Sequence, residues 1–364
     1  MRWLIVAGGT GGHLFPGIAI AEELHKRGEE VYFVSGTRKI ERHILKKSAF
    51  PHFELEVEGF IGRSLKDKLR ATIKLILSFF KSLKLIKEIK PAVMVAEGGY
   101  VSVPVVLAGK ILGVKAVLQE QNVYPGRANL LLSRFVDKIF VGFADSIHYF
   151  PKEKVIVSGT PVRSELLEYK ERIHQGKGLL LLGGSLGARF LNNLMLKIAK
   201  ELLLRIPNLY IFHQTGHEDY ERVWSEYKEK FTGEQELERL KVYPFIEDMG
   251  WAYAQADLVI SRAGASTIAE LIALKKPAIL IPYPYATHHH QERNALVLTK
   301  SGSALMFRQE EIREEDLIET ITNLLEEPRK LQIMRENLSR LIPLEPKAII
   351  IEETLKLFRR DRLC

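Results

Sequence analysis

Two glycine-rich turns, each directly behind a short apolar run, constrain this chain more than any other feature. Trp3-Leu4-Ile5-Val6-Ala7 runs straight into Gly8-Gly9-Thr10-Gly11-Gly12-His13, and Leu179-Leu180-Leu181-Leu182 runs into Gly183-Gly184-Ser185-Leu186-Gly187-Ala188-Arg189. Each unit reads as a buried strand, a tight turn and an amphipathic helix. Glycine lets the backbone turn sharply and bring N–H groups close to a ligand, and the following helix offers its positive end to an anion. Two such units imply two nucleotide-type lobes with a phosphate-bearing ligand between them.

The rest of the chain fits that reading. The first lobe alternates strands expected at 2–7, 31–35, 92–96, 115–119, 138–142 and 154–157 with helices expected at 15–27, 38–48, 65–89, 104–112, 126–133 and 143–149. The second has strands expected at 178–182, 209–213, 240–243, 257–261 and 278–282. Its helices are expected at 188–205, 217–229, 249–254, 266–274, 289–301, 314–326 and 328–340. Strand–helix alternation of this kind gives an α/β chain with doubly wound parallel sheets, whose ligands lie beyond the carboxyl ends of the strands. The connector Ser158-Gly159-Thr160-Pro161-Val162-Arg163 divides the chain into domains 1–160 and 161–343. A final helix, 346–360, is expected to return to the first domain as part of 344–364.

Composition narrows the partners. At 364 residues, 46% apolar and 27% charged, the chain is of ordinary globular make-up. No apolar run approaches the ~20 residues of a membrane-spanning helix, and the opening run is too short for a secretory signal. The lone cysteine, Cys364, excludes an internal disulfide and suits a reducing cytoplasm. The net charge of +8 resides in the first lobe, where residues 1–158 carry 24 Lys and Arg against 15 Asp and Glu. Nine of these basic residues lie between Gly59 and Lys90.

The first turn is not a dinucleotide fingerprint, because no start within 8–12 provides glycines at offsets 0, 2 and 5. The strand Val31–Ser35 also ends without an acidic residue for a ribose, and no P-loop is present. His13 closes the turn, either as a helix-start histidine bonded to the backbone or as a general base, which suits an imidazole near neutral pH. In the second lobe Asp257–Ser261 leads through Arg262-Ala263-Gly264 into Ala265-Ser266-Thr267-Ile268-Ala269-Glu270. That helix start could hold a pyrophosphate, with Glu270 accepting both ribose hydroxyls or else helping to close the helix end. The run His288-His289-His290-Gln291 lacks accompanying Cys or clustered carboxylates, and neighbouring helical residues diverge. It reads as a polar sugar-contacting rim, with no dedicated metal site expected.

The segment 65–90 is apolar on two sides. Leu69, Ile73, Ile76, Phe80 and Leu83 form a stripe expected to face the core. Leu75, Phe79 and Ile86 form a second stripe beside Lys74, Lys81, Lys84, Lys87 and Lys90. This side is either buried too or docks on anionic lipid. Nucleic acid is disfavoured, since aromatic stacking platforms are missing.

Together with Phe15-Pro16-Gly17, Gly98-Gly99-Tyr100-Val101-Ser102 and Glu120-Gln121-Asn122, the turns Gly8–His13, Gly183–Arg189 and Gly264–Glu270 resemble the MurG glycosyltransferases over nearly the whole chain. That resemblance implies the GT-B fold, an interdomain cleft and transfer of GlcNAc from UDP-GlcNAc to a lipid-linked muramyl-pentapeptide (lipid I). It also implies work at the cytoplasmic face of a membrane as a peripheral protein, without a cofactor, and other cell-wall synthesis proteins as partners. Carried over by motif, Thr10, Gly11 and Gly12 approach the donor and His13 the reacting sugar. Tyr100 and Asn122 belong to the substrate contacts, Asn122 on the GlcNAc. Arg163 and Ser185 meet the UDP, Ile246 reads uracil with Phe245, and Ala265, Ser266, Thr267 and Ile268 face the diphosphate. Glu270 binds the ribose, and His290 and Gln291 the sugar hydroxyls. His13 is the leading base, then Glu120, then Glu97. Ile61, Val103 and Thr160 depart from the family pattern, Ile61 at a position often basic.

Three rival functions share many of these features. A UDP-GlcNAc 2-epimerase would have the same fold and no lipid acceptor. A transferase could use another lipid acceptor, and a non-catalytic binder would hold the sugar nucleotide without turnover.

Overall fold

The computed structural model describes residues 1–9, 11–59, 64–168, 170–184, 187–231, 233–341 and 345–360. They fall into two compact units, one of Met1–Arg163 with the C-terminal segment, the other of Ser164–Leu341.

The first unit runs β1 (Arg2–Ala7), α1 (Gly11–Lys26), β2 (Glu30–Ser35), α2 (Lys39–Lys47), β3 (His52–Glu54), α3 (Leu65–Ile89), β4 (Val93–Gly98), α4 (Ser102–Ile111), β5 (Lys115–Glu120), α5 (Arg127–Leu132), β6 (Lys138–Val141) and β7 (Val155–Val157). Its sheet has the order β3-β2-β1-β4-β5-β6-β7, all parallel. The second unit runs β8 (Lys177–Leu182), α6 (Arg189–Arg205), β9 (Leu209–Gln214), α7 (Tyr220–Lys230), α8 (Glu234–Glu238), β10 (Leu240–Tyr243), α9 (Met249–Gln255), β11 (Leu258–Ser261), α10 (Ala265–Ala273), β12 (Ala278–Leu280), α11 (His290–Lys300), β13 (Ala304–Met306), α12 (Glu314–Glu326) and α13 (Pro328–Leu338). Its sheet is β10-β9-β8-β11-β12-β13, again parallel. Both are doubly wound, and each strand order reverses beside a glycine turn, at β1/β4 and at β8/β11. Such reversal points leave a crevice for ligands.

The strands are legible because a sheet covered on both faces buries every side chain. Trp3 to Ala7 are fully buried, as are Leu179 and Leu180. Helix α14 (Pro346–Arg360) packs on α1 in the first unit. Its Ile350 and Ile351 join the core around Trp3 and Ile5, each burial contributing roughly 1.5–3 kcal/mol. Lys138 pairs with Glu353 at 2.5 Å on the same helix.

Three short elements escape the sequence pattern: β3, β13 and α8. Helix α1 also begins at Gly11, four residues earlier than the periodicity suggests. Gly11, Gly12 and His13 therefore occupy its first turn, where amides have no intrahelical acceptor.

The two sides of α3 are the reverse of the expectation. Leu75 and Phe79, each partly buried, pack against the core and Ile86 is 2% exposed, so this stripe faces inward rather than toward a membrane. Lys74 turns to Glu56, at 2.5 Å, and to Glu58, whereas Lys81, Lys84, Lys87 and Lys90 stand in solvent. Of the stripe expected inside, Leu69, Ile73, Ile76 and Phe80 are exposed, while Leu83 packs against the core as expected. The inward face carries Ala71, Ser78 and Ser82, small enough for α3 to lie close to its neighbour α4. Both serine hydroxyls are satisfied by backbone carbonyls, Ser78 by Glu56 and Ser82 by Ser78. Val103, a departure from the family pattern, lies in the same core at 7% exposure.

Candidate active site

In the first unit the ends of β1, β4 and β5 converge. The turn after β4 must approach the turn after β1 backbone to backbone. Gly99 has φ +81°, and a Cβ there would lie 2.3 Å from the Gly8 carbonyl oxygen. Only glycine meets both demands. Glu41, buried at 1% exposure, receives the Gly9 N–H at 2.5 Å, while Arg38 Nη1 donates to the Gly9 carbonyl at 2.8 Å. The first turn thus already holds a carboxylate on one amide. Its free donors are the helix-start amides of α1.

His13 is half-buried on that first helical turn. Its Nδ1 lies 3.1 Å from Gln121 Oε1. Gln121 Nε2 donates to the Glu97 carbonyl oxygen and to Glu97 Oε2, both at 2.9 Å. Glu97 is fully buried, and the loss of solvent pushes its carboxyl up to about 8, against the opposing bond from Gln121.

Glu120 differs from what its motif suggests. It is fully buried, and four N–H groups bond its oxygens: Asn122 N at 2.9 Å, Asn122 Nδ2 at 3.2 Å, Gly126 N at 2.9 Å and Asn129 Nδ2 at 2.8 Å. Such a carboxylate folds the 120–129 loop and has its lone pairs taken by these donors, so it is structural and not the base that its motif suggested. It fixes Asn122 instead. Tyr100 packs over Gly59, where a Cβ would meet the ring at 2.7 Å. The Arg163 guanidinium sits 4.3 Å from the centre of the Phe15 ring, a cation–π geometry.

In the second unit the ends of β8, β10 and β11 converge. Helix α10 starts at Ala265 behind an extended Gly264, which has no side chain to cap it, so the amides of Ala265, Ser266 and Thr267 have no intrahelical acceptor. Ile268 N bonds Gly264 O and its side chain is core, which ties this residue to the helix rather than to a ligand. Glu270, half-buried, accepts from Tyr253 Oη at 2.8 Å across to α9. Ile246 N is held by Gln214 Oε1 at 2.9 Å, and Gln214 Nε2 donates to Gly184 O at 3.2 Å. Gln214 thereby joins the glycine turn to the 244–248 loop. On that loop, Phe245 stacks with His217.

His288 and His289 are exposed, both with positive φ, and His290 Nδ1 lies 2.9 Å from the Thr287 carbonyl. Gln291 Oε1 accepts from Tyr283 N at 2.9 Å. Thr10, Ser185 and Ile61 lie outside the described residues.

Arg262 was given no role by the sequence. It is 8% exposed, and burial lowers its guanidinium to about 10. Nη1 donates to Ile281 O and Pro282 O at 3.0 and 3.1 Å, and Nη2 to Gln309 Oε1 at 2.8 Å. It braces the β11–α10 turn against the end of β12. An arginine before a small-residue loop was the available signal.

Comparison with known proteins agrees with this geometry. Residues 3–141 match the glycosyltransferase family 28 N-terminal domain and residues 179–346 the family 28 C-terminal domain. A UDP-N-acetylglucosamine–N-acetylmuramyl-(pentapeptide) pyrophosphoryl-undecaprenol N-acetylglucosamine transferase from Myxococcus xanthus is 42% identical, over 92% of this chain and 88% of the relative. The protein of the same name from Syntrophus aciditrophicus is 40% identical over 99% of both chains. The crystal structure of Acinetobacter baumannii MurG superposes with a TM-score of 0.75 at 27% identity, covering 98% of this chain and all of that one. A UDP-GlcNAc 2-epimerase from Neisseria meningitidis, at 15% identity and a TM-score of 0.67 over 98% of this chain and 99% of that one, shares the fold alone. The chain is a glycosyltransferase with the GT-B fold, and it belongs to family 28 and to the MurG glycosyltransferases within it.

Proposed function

We propose that this protein moves GlcNAc from UDP-GlcNAc to the 4-hydroxyl of the muramyl sugar in an undecaprenyl-pyrophosphoryl muramyl-pentapeptide, the reaction named for its relatives. The observation that carries the reading is His13. Its Nδ1 is engaged by Gln121, and its Nε2 makes no hydrogen bond among the described residues.

The expected chemistry is one inverting displacement. The muramyl 4-oxygen attacks the anomeric carbon opposite the UDP, and the C–O bond to the diphosphate breaks with its electron pair leaving on UDP. The hydroxyl proton passes to His13 Nε2, a placed base being worth roughly 10²–10⁴ in rate. Charge growing on the diphosphate meets the uncapped amides of Ala265, Ser266 and Thr267 and the positive end of α10. Arg163, Ser185 and Thr10 are assigned to the same ligand. Glu270 is read as the ribose acceptor, Asn122, His290 and Gln291 as GlcNAc contacts, and Tyr100 as part of the acceptor side. The second unit is thus the donor domain and the first the acceptor domain.

The acceptor's lipid anchor requires that the first unit approach a membrane. No helix among the described residues is long and apolar enough to cross one. The surface that fits is the outer face of α3, where Leu69, Ile73, Ile76, Leu77 and Phe80 are each more than half exposed. Exposed Lys66, Arg70, Lys81, Lys84 and Lys87 share the helix, and an apolar patch with a basic surround matches an anionic lipid surface. Docking there would make the protein peripheral.

The test is product analysis with labelled UDP-GlcNAc and a short-chain lipid I analogue, with EDTA present. A lipid-linked disaccharide plus UDP is expected. Conversion of the sugar nucleotide without transfer would overturn the reading.

A further inference from the structure

Helix α1 presents two residues to β4 from one face, His13 and, one turn on, Gly17. A Cβ at Gly17 would lie 3.2 Å from Glu97 Cγ, so the absent side chain makes room for the Glu97 stem beneath the helix. Glu97 is the penultimate residue of β4, and Gln119 and Gln121 lie at the end of the adjacent strand β5. The result is a carboxyl at zero exposure between two amides that are themselves fully buried.

Donor and acceptor inventory fixes the orientation of Gln121. Its Nε2 faces two acceptors at 2.9 Å, the Glu97 carbonyl oxygen and Glu97 Oε2. Reversing the amide would set Oε1 against both, leaving buried acceptors unpaired at a cost of about 1–3 kcal/mol each. With the amide so held, Oε1 points at His13 Nδ1 from 3.1 Å and can only accept. A neutral imidazole there must keep its proton on Nδ1, which leaves the lone pair on Nε2.

We propose that Gln121, oriented by Glu97, is the positioning residue that locks His13 in the Nδ1–H tautomer. The consequence for turnover rests on the reading of His13 as the base. Gln119 completes the arrangement. With its amide nitrogen turned inward, it donates to Glu97 Oε2 and, at 3.1 Å, to Oε1, as suits an ionised carboxylate. With its carbonyl turned inward it accepts the proton of the neutral acid. The carboxyl thus has partners in either state, consistent with burial raising it to about 8, and Gln121 is gripped throughout.

The experiment uses full-length protein with 15N-labelled histidine at mildly alkaline pH, His13→Ala supplying the assignment. Wild-type imidazole shifts are expected to report Nδ1–H at His13. Gln121→Leu is expected to give a mixture of tautomers, with kcat at least tenfold lower and KM for UDP-GlcNAc within twofold. Gln121→Glu, which can accept but not donate, is expected to hold the imidazolium and move the acid limb of the kcat profile to higher pH. Glu97→Gln retains an acceptor for Gln121 and should keep the tautomer, whereas Glu97→Met should loosen it. A wild-type-like His13 spectrum in folded Gln121→Leu would overturn the proposal. A changed spectrum with unchanged kcat would support the positioning role and refute the assignment of His13 as base.

Discussion

Replacing Phe80 by Ser separates the two sides of α3 most cleanly. Phe80 is 62% exposed on the outer face, and full burial of such a side chain is worth roughly 1.5–3 kcal/mol. Transfer of the exposed part from water into the acyl boundary therefore contributes about 1–2 kcal/mol, a factor of roughly 5–30 in partitioning. The variant should lose that much affinity in sedimentation with vesicles rich in phosphatidylglycerol. Its melting temperature should fall little, because Phe80 is mostly in solvent and meets the Phe79 ring in a T-shaped contact with ring centres 5.7 Å apart. Phe79→Ala should behave oppositely. Phe79 packs on the core, and truncation of a fully buried Phe costs about 3–5 kcal/mol, so a half-buried one should cost about 2–3. The folded fraction of that variant should bind vesicles as wild type does. Undiminished vesicle binding by Phe80→Ser, or a Phe79→Ala protein that melts normally, would refute the assignment of the two faces.

His13→Ala should lower kcat by roughly 10²–10⁴ while UDP-GlcNAc still binds, as calorimetry would show. Gly99→Ala combines φ +81° with a 2.3 Å approach to Gly8 O, so it should cost about 2 kcal/mol or more, seen as a lower denaturant midpoint. Buried His213, between Tyr227 Oη and Asn192 Oδ1, has its imidazole pushed down to about 3 by desolvation. Between about 6.5 and 3 the unfolded chain then binds the extra proton, so its contribution is complete above 6.5 and declines as pH falls through that window. Urea titrations across that range should show a slope that His213→Gln flattens.

Most strand positions and both glycine turns follow from features visible in one dimension, short apolar runs and the glycines that end two of them, whereas the order of strands within each sheet had to come from the fold. The α3 error has a physical cause. Periodicity shows that two stripes exist and not which one is inside, and the inner face is interrupted by Ser78 and Ser82. Those serines look polar in sequence, yet each bonds a backbone carbonyl within the interface. The missed strand β3 is three residues long, with Phe53 exposed and polar His52 and Glu54, so no alternation announces it. At the site, residue types were readable and their occupancy was not. Glu120 and Glu97 are both carboxylates beside motifs. Only the fold reveals that one is saturated by loop amides and the other sits under the helix that carries His13.

The return of α14 to the first unit sets an order of events during synthesis. Residues 164–341 are contiguous, so the second unit can close as soon as they leave the ribosome. The first unit emerges earlier but waits, its α1 surface uncovered, until Ile350 and Ile351 arrive. The half of the protein made first is therefore the half finished last.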